Sequence, residues 1–137
     1  MASSSDSNRG SLAPWLIAGP LTLAFLASGG AKLFGEMAVE GAAHFGYSVV
    51  FMRFIGACEV AGAIGLLIPI LGSWAATGLM LVMDGAVYSH LAAGDPIPRA
   101  VPGMILFVLL ALVLWLRRDR AWLISGGSRR SDAGEAA

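Results

Sequence analysis

Charged side chains are scarce in this chain of 137 residues: Asp, Glu, Lys and Arg make up 13% of it, whereas hydrophobic residues make up 57%. A soluble domain typically carries about 25% charged residues, so the composition excludes an ordinary soluble protein and indicates an integral membrane protein of one domain. The formal net charge is zero, which provides no general attraction to nucleic acid. The first partner that the sequence predicts is therefore the lipid bilayer.

Cysteine occurs once, as Cys58. A single thiol excludes an internal disulfide, a dithiol redox pair and a cysteine-based metal site within one copy of the chain. The sequence also lacks a phosphate-binding loop, a dinucleotide fingerprint, a haem-attachment motif and an iron–sulfur pattern. We therefore predict no intrinsic cofactor, and we do not expect a complete redox enzyme from this chain alone.

Four apolar runs are candidates for membrane-spanning helices, at about residues 12–34, 49–70, 73–93 and 101–116. A helix rises 1.5 Å per residue, so about 20 apolar residues cross the ~30 Å hydrocarbon core. The predicted fold class is an all-α, membrane-embedded four-helix bundle in the cell membrane. Residues 1–11 are predicted to be a flexible tail, and residues 117–137 a basic juxtamembrane segment followed by a second tail.

The orientation follows from the arginines, five of which lie beyond the fourth run, at positions 117, 118, 120, 129 and 130. The positive-inside rule places this end in the cytoplasm, and an even number of spans places the N-terminus there as well. The first run also has features of a cleaved signal peptide, because Arg9 precedes an apolar core. Cleavage would leave three helices with a mismatched orientation, so we favour a retained first span.

Ionisable residues inside the spans are the candidate functional groups, because a charge near the bilayer centre costs about 2.5–3.5 kcal/mol and normally faces a partner or a wet cavity. Glu59 is about ten residues and Asp84 about nine residues from the outer end of its own predicted helix, which places both near the midplane. We expect them to share one buried site and, with His90, to be the catalytic candidates. Lys32, Arg53 and Tyr88 are the predicted ligand-binding residues.

Each of these residues also has a structural interpretation. Lys32 and Arg53 are long enough to reach the headgroup region, and Glu59 and Asp84 would hold helices together if each paired with a basic or backbone group. His90 with the two carboxylates could ligate a metal, but the spacing does not demand one, and no metal site is predicted.

Three segments resemble a known family: ASGGAKLFG at 27–35, RFIGACEVAGAIGLLIP at 53–69 and MDGAVYSHLAAGD at 83–95. They are similar to the DoxX-like family of small four-helix membrane proteins. The resemblance implies a role near membrane redox systems, because the wider group includes subunits associated with thiosulfate oxidation and quinone reduction. Other relatives look like assembly factors, and the resemblance assigns no catalytic residue.

Three functions remain open at this stage. The first is binding of a lipophilic small molecule, such as a quinone, within a redox system that includes a partner protein. The second is a cofactor-independent enzyme, an isomerase, cyclase or epoxide hydrolase that uses the two carboxyl groups as acid and base. The third is a non-catalytic assembly factor, and a homo-oligomer is compatible with all three.

Overall fold

A computed structural model describes residues 6–126, and its side chains are described from 12 to 118. This part of the chain is all-helical, as predicted, but it forms five helices where four were expected. They are α1 (Asp6–Phe34), α2 (Met37–Phe45), α3 (Val49–Leu67), α4 (Gly72–Ala92) and α5 (Ile97–Gly126). Helix α1 begins within the predicted tail, and α5 extends past residue 116. The remainder of both predicted tails lies outside the described residues.

The additional helix, α2, occupies the connection between the first two predicted spans, residues 35–48. Its nine residues bury Ala38 and Ala42, one helical turn apart, against Met52 of α3. Gly46 ends the helix in the left-handed conformation, with φ at 74°, which glycine adopts without steric cost. The alanine spacing was the available signal, but a single buried turn is too short to establish a helical period.

Three helices are long and apolar enough to cross a membrane, at Leu12–Phe34, Val49–Leu67 and Ile97–Arg118. Helix α4, the third predicted span, is not among them, although its 21 residues would match the thickness of the hydrocarbon core. Serine, threonine, Asp84 and His90 lower its hydropathy. The protein is a membrane protein, and the lipid bilayer surrounds its apolar helices.

Helices α1 and α3 approach each other closely because two glycines meet at their crossing. A Cβ atom added to Gly29 would lie 2.7 Å from the carbonyl oxygen of Gly56, and one added to Gly56 would lie 2.7 Å from Cβ of Lys32. Small residues at such a crossing allow backbone contact, which favours helix association in membranes. This contact fixes the position of Lys32 relative to α3.

The helices have two distinct ends, which we call the Arg117 end and the Asp95 end. At the Arg117 end, Nη2 of Arg117 donates a hydrogen bond of 3.0 Å to the carbonyl oxygen of Leu66 in the last turn of α3. The same guanidinium lies over the ring of Trp15 of α1, 5.4 Å from its centroid. At the opposite end, Asp95 joins α2, α4 and α5. Helix α4 begins beside the Arg117 guanidinium at Gly72 and ends at the Asp95 cluster, so it runs antiparallel to α3 and α5.

Candidate functional site

A cavity of about 730 Å³ lies between α2, α3 and α4, with one side chain contributed by α1. Its volume is in the range of small-molecule sites. Most of its wall is apolar or aromatic, and the residues that define this character are Phe45, Tyr47, Phe51, Met52, Phe54 and Tyr88. The polar side chains that line it include Lys32, Glu40, His44, Glu59, Ser89 and His90.

The cavity exists because α3 and α4 pack tightly at one end only. Near the Arg117 end, a Cβ atom added to Gly62 would lie 2.6 Å from Leu79, and one added to Gly65 would lie 2.8 Å from Ala75. The cavity is lined instead by residues 51–59 of α3 and 81–90 of α4, toward the Asp95 end. At the Asp95 end α2 packs on α3 and closes the cavity, with Ala38 and Ala42 against Met52.

The edge of the cavity is apolar and exposed on the outer surface of the protein. Phe54 of α3 and Leu81 and Tyr88 of α4 all line the cavity, and each is largely exposed. The cavity therefore has an opening to the protein surface between α3 and α4.

Lys32 and Glu59 form an ion pair at the cavity wall. Nζ of Lys32 lies 2.9 Å from both carboxylate oxygens of Glu59 and donates a third hydrogen bond of 2.7 Å to Oγ of Ser28, one turn earlier on α1. The Glu59 side chain is only 2% exposed and that of Lys32 15% exposed. All three ammonium protons are satisfied, so the pair offers a fixed dipole rather than a free cation.

The structure brings four of the six predicted site residues to the cavity. Lys32, Glu59, Tyr88 and His90 line it, and the two remaining residues do not. Arg53 and Asp84 are both exposed, and neither makes a hydrogen bond or ion pair within the described residues. The roles of all six remain predictions.

The expectation that Glu59 and Asp84 share a buried site differs from the geometry, and helical phase explains the difference. The buried stripe of α4 runs through Gly72, Ala76, Leu79 and Met83, and Asp84 is one residue, about 100°, beyond it. On α3 the stripe runs through Met52, Gly56, Glu59 and Ala63, which includes Glu59 and leaves out Arg53. The two carboxyl groups have similar depth along their helices, but similar depth does not make them face each other.

A second polar cluster, which we call the Asp95 cluster, consists of His44, His90, Asp95 and Arg99. Oδ2 of Asp95 lies 2.8 Å from Nε2 of His44 and 2.8 Å from Nδ1 of His90. Nη1 of Arg99 donates a hydrogen bond of 3.0 Å to the other oxygen, Oδ1. The cluster ties the end of α2, the end of α4 and the first turn of α5 together at one carboxylate.

Hydrogen bonds from His44, and then from His90, lower the pKa of Asp95 from 3.8 to about 2. Arg99 acts in the same direction, whereas burial of the carboxylate opposes it. Because the folded protein binds this proton less readily than the unfolded chain, the cluster contributes its full stabilisation above about pH 4. That contribution is lost as the pH falls from about 4 toward 2.

We therefore expect the thermal midpoint of the wild-type protein in detergent to fall more steeply between pH 5 and pH 2 than that of Asp95→Asn. The asparagine variant should be less stable at pH 5, and the two curves should converge near pH 2. Glu36→Gln is the matched control, because Glu36 is an exposed acid at the same end. Parallel curves for wild type and Asp95→Asn would contradict this assignment.

The sequence analysis did not identify His44, Asp95 or Arg99 as site residues. Two signals were available: the chain has two histidines, each in the last turn of a helix, and Arg99 follows Asp95 by four residues. Their convergence depends on how α2 folds back onto α3, which local spacing does not specify. A ligand atom from each of His44, His90 and Asp95 lies within 4.8 Å of the other two.

A model of the DoxX-like family matches residues 16–113, which is more than half of the chain and covers all of α2, α3 and α4. No curated protein and no solved structure matches significantly. The matched region contains the cavity, the Lys32–Glu59 pair and the Asp95 cluster.

Proposed function

The chain belongs to the DoxX-like family, and on this basis we propose that it binds a lipophilic small molecule, with a quinone as the leading candidate, within a membrane redox system. The observation that carries the proposal is the cavity of about 730 Å³ between α3 and α4, with its aromatic wall and its apolar edge. Apolar cavities with a few placed polar groups are typical of small-molecule sites.

The polar groups on the cavity wall suit a ring that carries carbonyl or hydroxyl groups. The Tyr88 hydroxyl makes no hydrogen bond within the described residues, so it can donate to a ligand oxygen. Nδ1 of His90 is engaged by Asp95, which leaves Nε2 for a ligand. An imidazole oriented by a carboxylate can accept a proton from a quinol hydroxyl, because the carboxylate stabilises the imidazolium.

A partner protein would accept the electrons that the quinol releases together with its protons in this scheme. The sequence has no motif for a bound redox group and a single cysteine, so the chain's own contribution is to bind the quinone and to move its proton. The enzyme alternative based on Glu59 and Asp84 as paired acid and base receives no support from the geometry, because Asp84 lies outside the cavity lining.

The proposed topology is multi-pass in the cell membrane with four crossings, of which α4 is the third. Its support is that α4 runs the full distance from the Arg117 end to the Asp95 end, antiparallel to two apolar helices. The arginines beyond residue 116 then favour a cytoplasmic location for the Arg117 end and for both termini. The opening of the cavity would lie nearer the outer leaflet.

The test uses Gly85→Leu, which places a side chain in the cavity, and Gly78→Leu, two turns earlier on the same helix and outside the cavity. A Cβ atom at either glycine meets no neighbour within 4 Å, so both variants should fold. A quinone with a ten-carbon tail should raise the thermal stability of wild type and Gly78→Leu, by about 2.7 kcal/mol at 100 times its Kd. Gly85→Leu should respond much less.

Decanol is the control for the apolar tail, because it has ten carbons but no quinone ring. Stabilisation by the alcohol equal to that by the quinone would argue against recognition of the ring. The proposal would be overturned if benzoquinones and naphthoquinones gave no stabilisation of the wild type, or the same stabilisation of both leucine variants.

A further inference from the structure

Both histidines of the chain point a ring nitrogen at one carboxylate oxygen, and we propose that His44, His90 and Asp95 form a binding site for a divalent transition-metal ion, with Zn²⁺ as the reference ion. Nε2 of His44 and Nδ1 of His90 each lie 2.8 Å from Oδ2 of Asp95. The three ligand atoms are within 4.8 Å of one another. Two imidazoles and a carboxylate are a donor set that holds zinc or iron in proteins.

Two of the three distances between ligand atoms are close to those that a metal ion requires, and the third, between the two histidine nitrogens, is within 4.8 Å. Zinc–nitrogen and zinc–oxygen distances of about 2.0–2.2 Å place the ligands of a tetrahedral ion roughly 3.3 Å apart. The two His–Asp distances of 2.8 Å would lengthen by about 0.5 Å, which small rotations of the side chains allow. In the hydrogen-bonded cluster Nε2 of His44 and Nδ1 of His90 donate to the carboxylate, so each would give up that proton to bind the ion. Each histidine would then carry its proton on the opposite ring nitrogen, Nδ1 of His44 and Nε2 of His90.

The surroundings hold the three ligands in place. Arg99 binds Oδ1 of Asp95 and thereby leaves Oδ2 directed at the two histidines, as an outer-shell partner does in metal sites. The ring of Phe45 packs edge-on against both imidazoles, with centroids 4.7 Å from His44 and 5.0 Å from His90. The ligands come from α2, α4 and the α4–α5 connection, so an ion would link three segments that are separate along the chain.

The site is accessible, and its open coordination position faces the cavity. The side chains of His44 and His90 are 42% and 28% exposed, whereas Asp95 is 5% exposed. Both histidines line the cavity, so a fourth ligand of the ion would come from water or from a molecule bound there. Three protein ligands with an open position are typical of catalytic rather than structural zinc sites. This inference does not depend on the quinone proposal. An ion on Nδ1 of His90 would place the proton on Nε2, so the metal-bound state would not use that nitrogen as a proton acceptor.

The test measures Zn²⁺ binding by calorimetry to the full chain, purified in detergent with an affinity tag that contains no histidine. We expect one ion per chain in the wild type and more than about 100-fold weaker binding in His44→Ala, His90→Ala and Asp95→Asn, since losing an outer-shell partner alone costs about 10–100-fold. Glu36→Gln and Cys58→Ser are the controls and should bind Zn²⁺ as the wild type does.

A second measurement requires no variant and therefore does not depend on how the substituted proteins fold. With ¹⁵N-labelled histidine, the spectrum has signals from two residues, and Zn²⁺ should shift Nε2 of His44 and Nδ1 of His90 while the other two nitrogens carry the protons. The proposal would be overturned if both histidines were unmoved by Zn²⁺, or if binding were absent at millimolar zinc or equal in the three ligand variants. Either result would leave the Asp95 cluster as a hydrogen-bonded clamp only.

Discussion

Lys32→Met is expected to lower the free energy of unfolding by about 3–5 kcal/mol, because it leaves the Glu59 carboxylate buried without its cation. Both oxygens of Glu59 bind the Lys32 ammonium at 2.9 Å, and the carboxylate is almost completely shielded from solvent. Methionine matches the length of the lysine stem, so the change removes the charge with little loss of packing. Reversible unfolding in mixed SDS and maltoside micelles measures the effect.

The double variant Lys32→Met/Glu59→Leu distinguishes the cost of an unpaired buried carboxylate from the cost of losing the ion pair itself. Replacing a whole buried ion pair by apolar residues is often neutral or stabilising, so this variant should be within about 1 kcal/mol of the wild type or above it. Arg53→Met is the control, because Arg53 is an exposed cation of α3 with no polar partner among the described residues, and it should change stability by less than about 0.5 kcal/mol. A loss of stability for Lys32→Met as small as that for Arg53→Met would contradict the prediction, because the Glu59 carboxylate would then be stabilised by another partner.

Gly29→Ala should destabilise the protein by about 1–3 kcal/mol and should also weaken ligand binding at the cavity. The added Cβ atom would lie 2.7 Å from the carbonyl oxygen of Gly56 and 2.8 Å from Cγ2 of Val60. A backbone oxygen cannot rotate away as a side chain can, so α1 and α3 must separate. Their separation would pull Lys32 away from Glu59, and thermal unfolding with and without quinone would report both effects.

The neighbouring glycine provides the matched control for this prediction. A Cβ atom on Gly30 meets nothing within 4 Å, so Gly30→Ala should be neutral or stabilising by up to about 1 kcal/mol, in line with the higher helix propensity of alanine. A result in which the two alanine variants are equally stable would mean that the α1–α3 crossing is looser than described.

Much of the fold could be predicted from hydrophobic run length alone. The ends of α1, α3 and α4 lie within three residues of the predicted spans at Phe34, Leu67 and Ala92. Run length is informative because bilayer thickness sets it. The nine-residue α2 was not predicted, since its amphipathic pattern covers little more than two turns.

The candidate site was harder to predict, because depth and helical phase are separate quantities. Sequence position gave the depth of Glu59 and Asp84, and burial showed that only Glu59 lies on a helix-facing stripe. The spacing of small residues on α3 could have supplied the phase, since Gly56, Ala63 and Glu59 fall on one face. Which basic residue pairs with Glu59 depended on the glycine contact between α1 and α3, and no local pattern specifies a contact between two helices.

The apolar edge formed by Phe54, Leu81 and Tyr88 affects how the affinity of any ligand of the cavity should be expressed. A molecule that arrives through this edge is first dissolved in the lipid, so its relevant concentration is moles per mole of phospholipid. Each methylene group added to its tail is worth about 0.8 kcal/mol of partitioning, which raises that concentration roughly fourfold. Apparent dissociation constants based on aqueous concentration would then decrease with tail length across a homologous series, even when every ligand makes identical contacts with the protein.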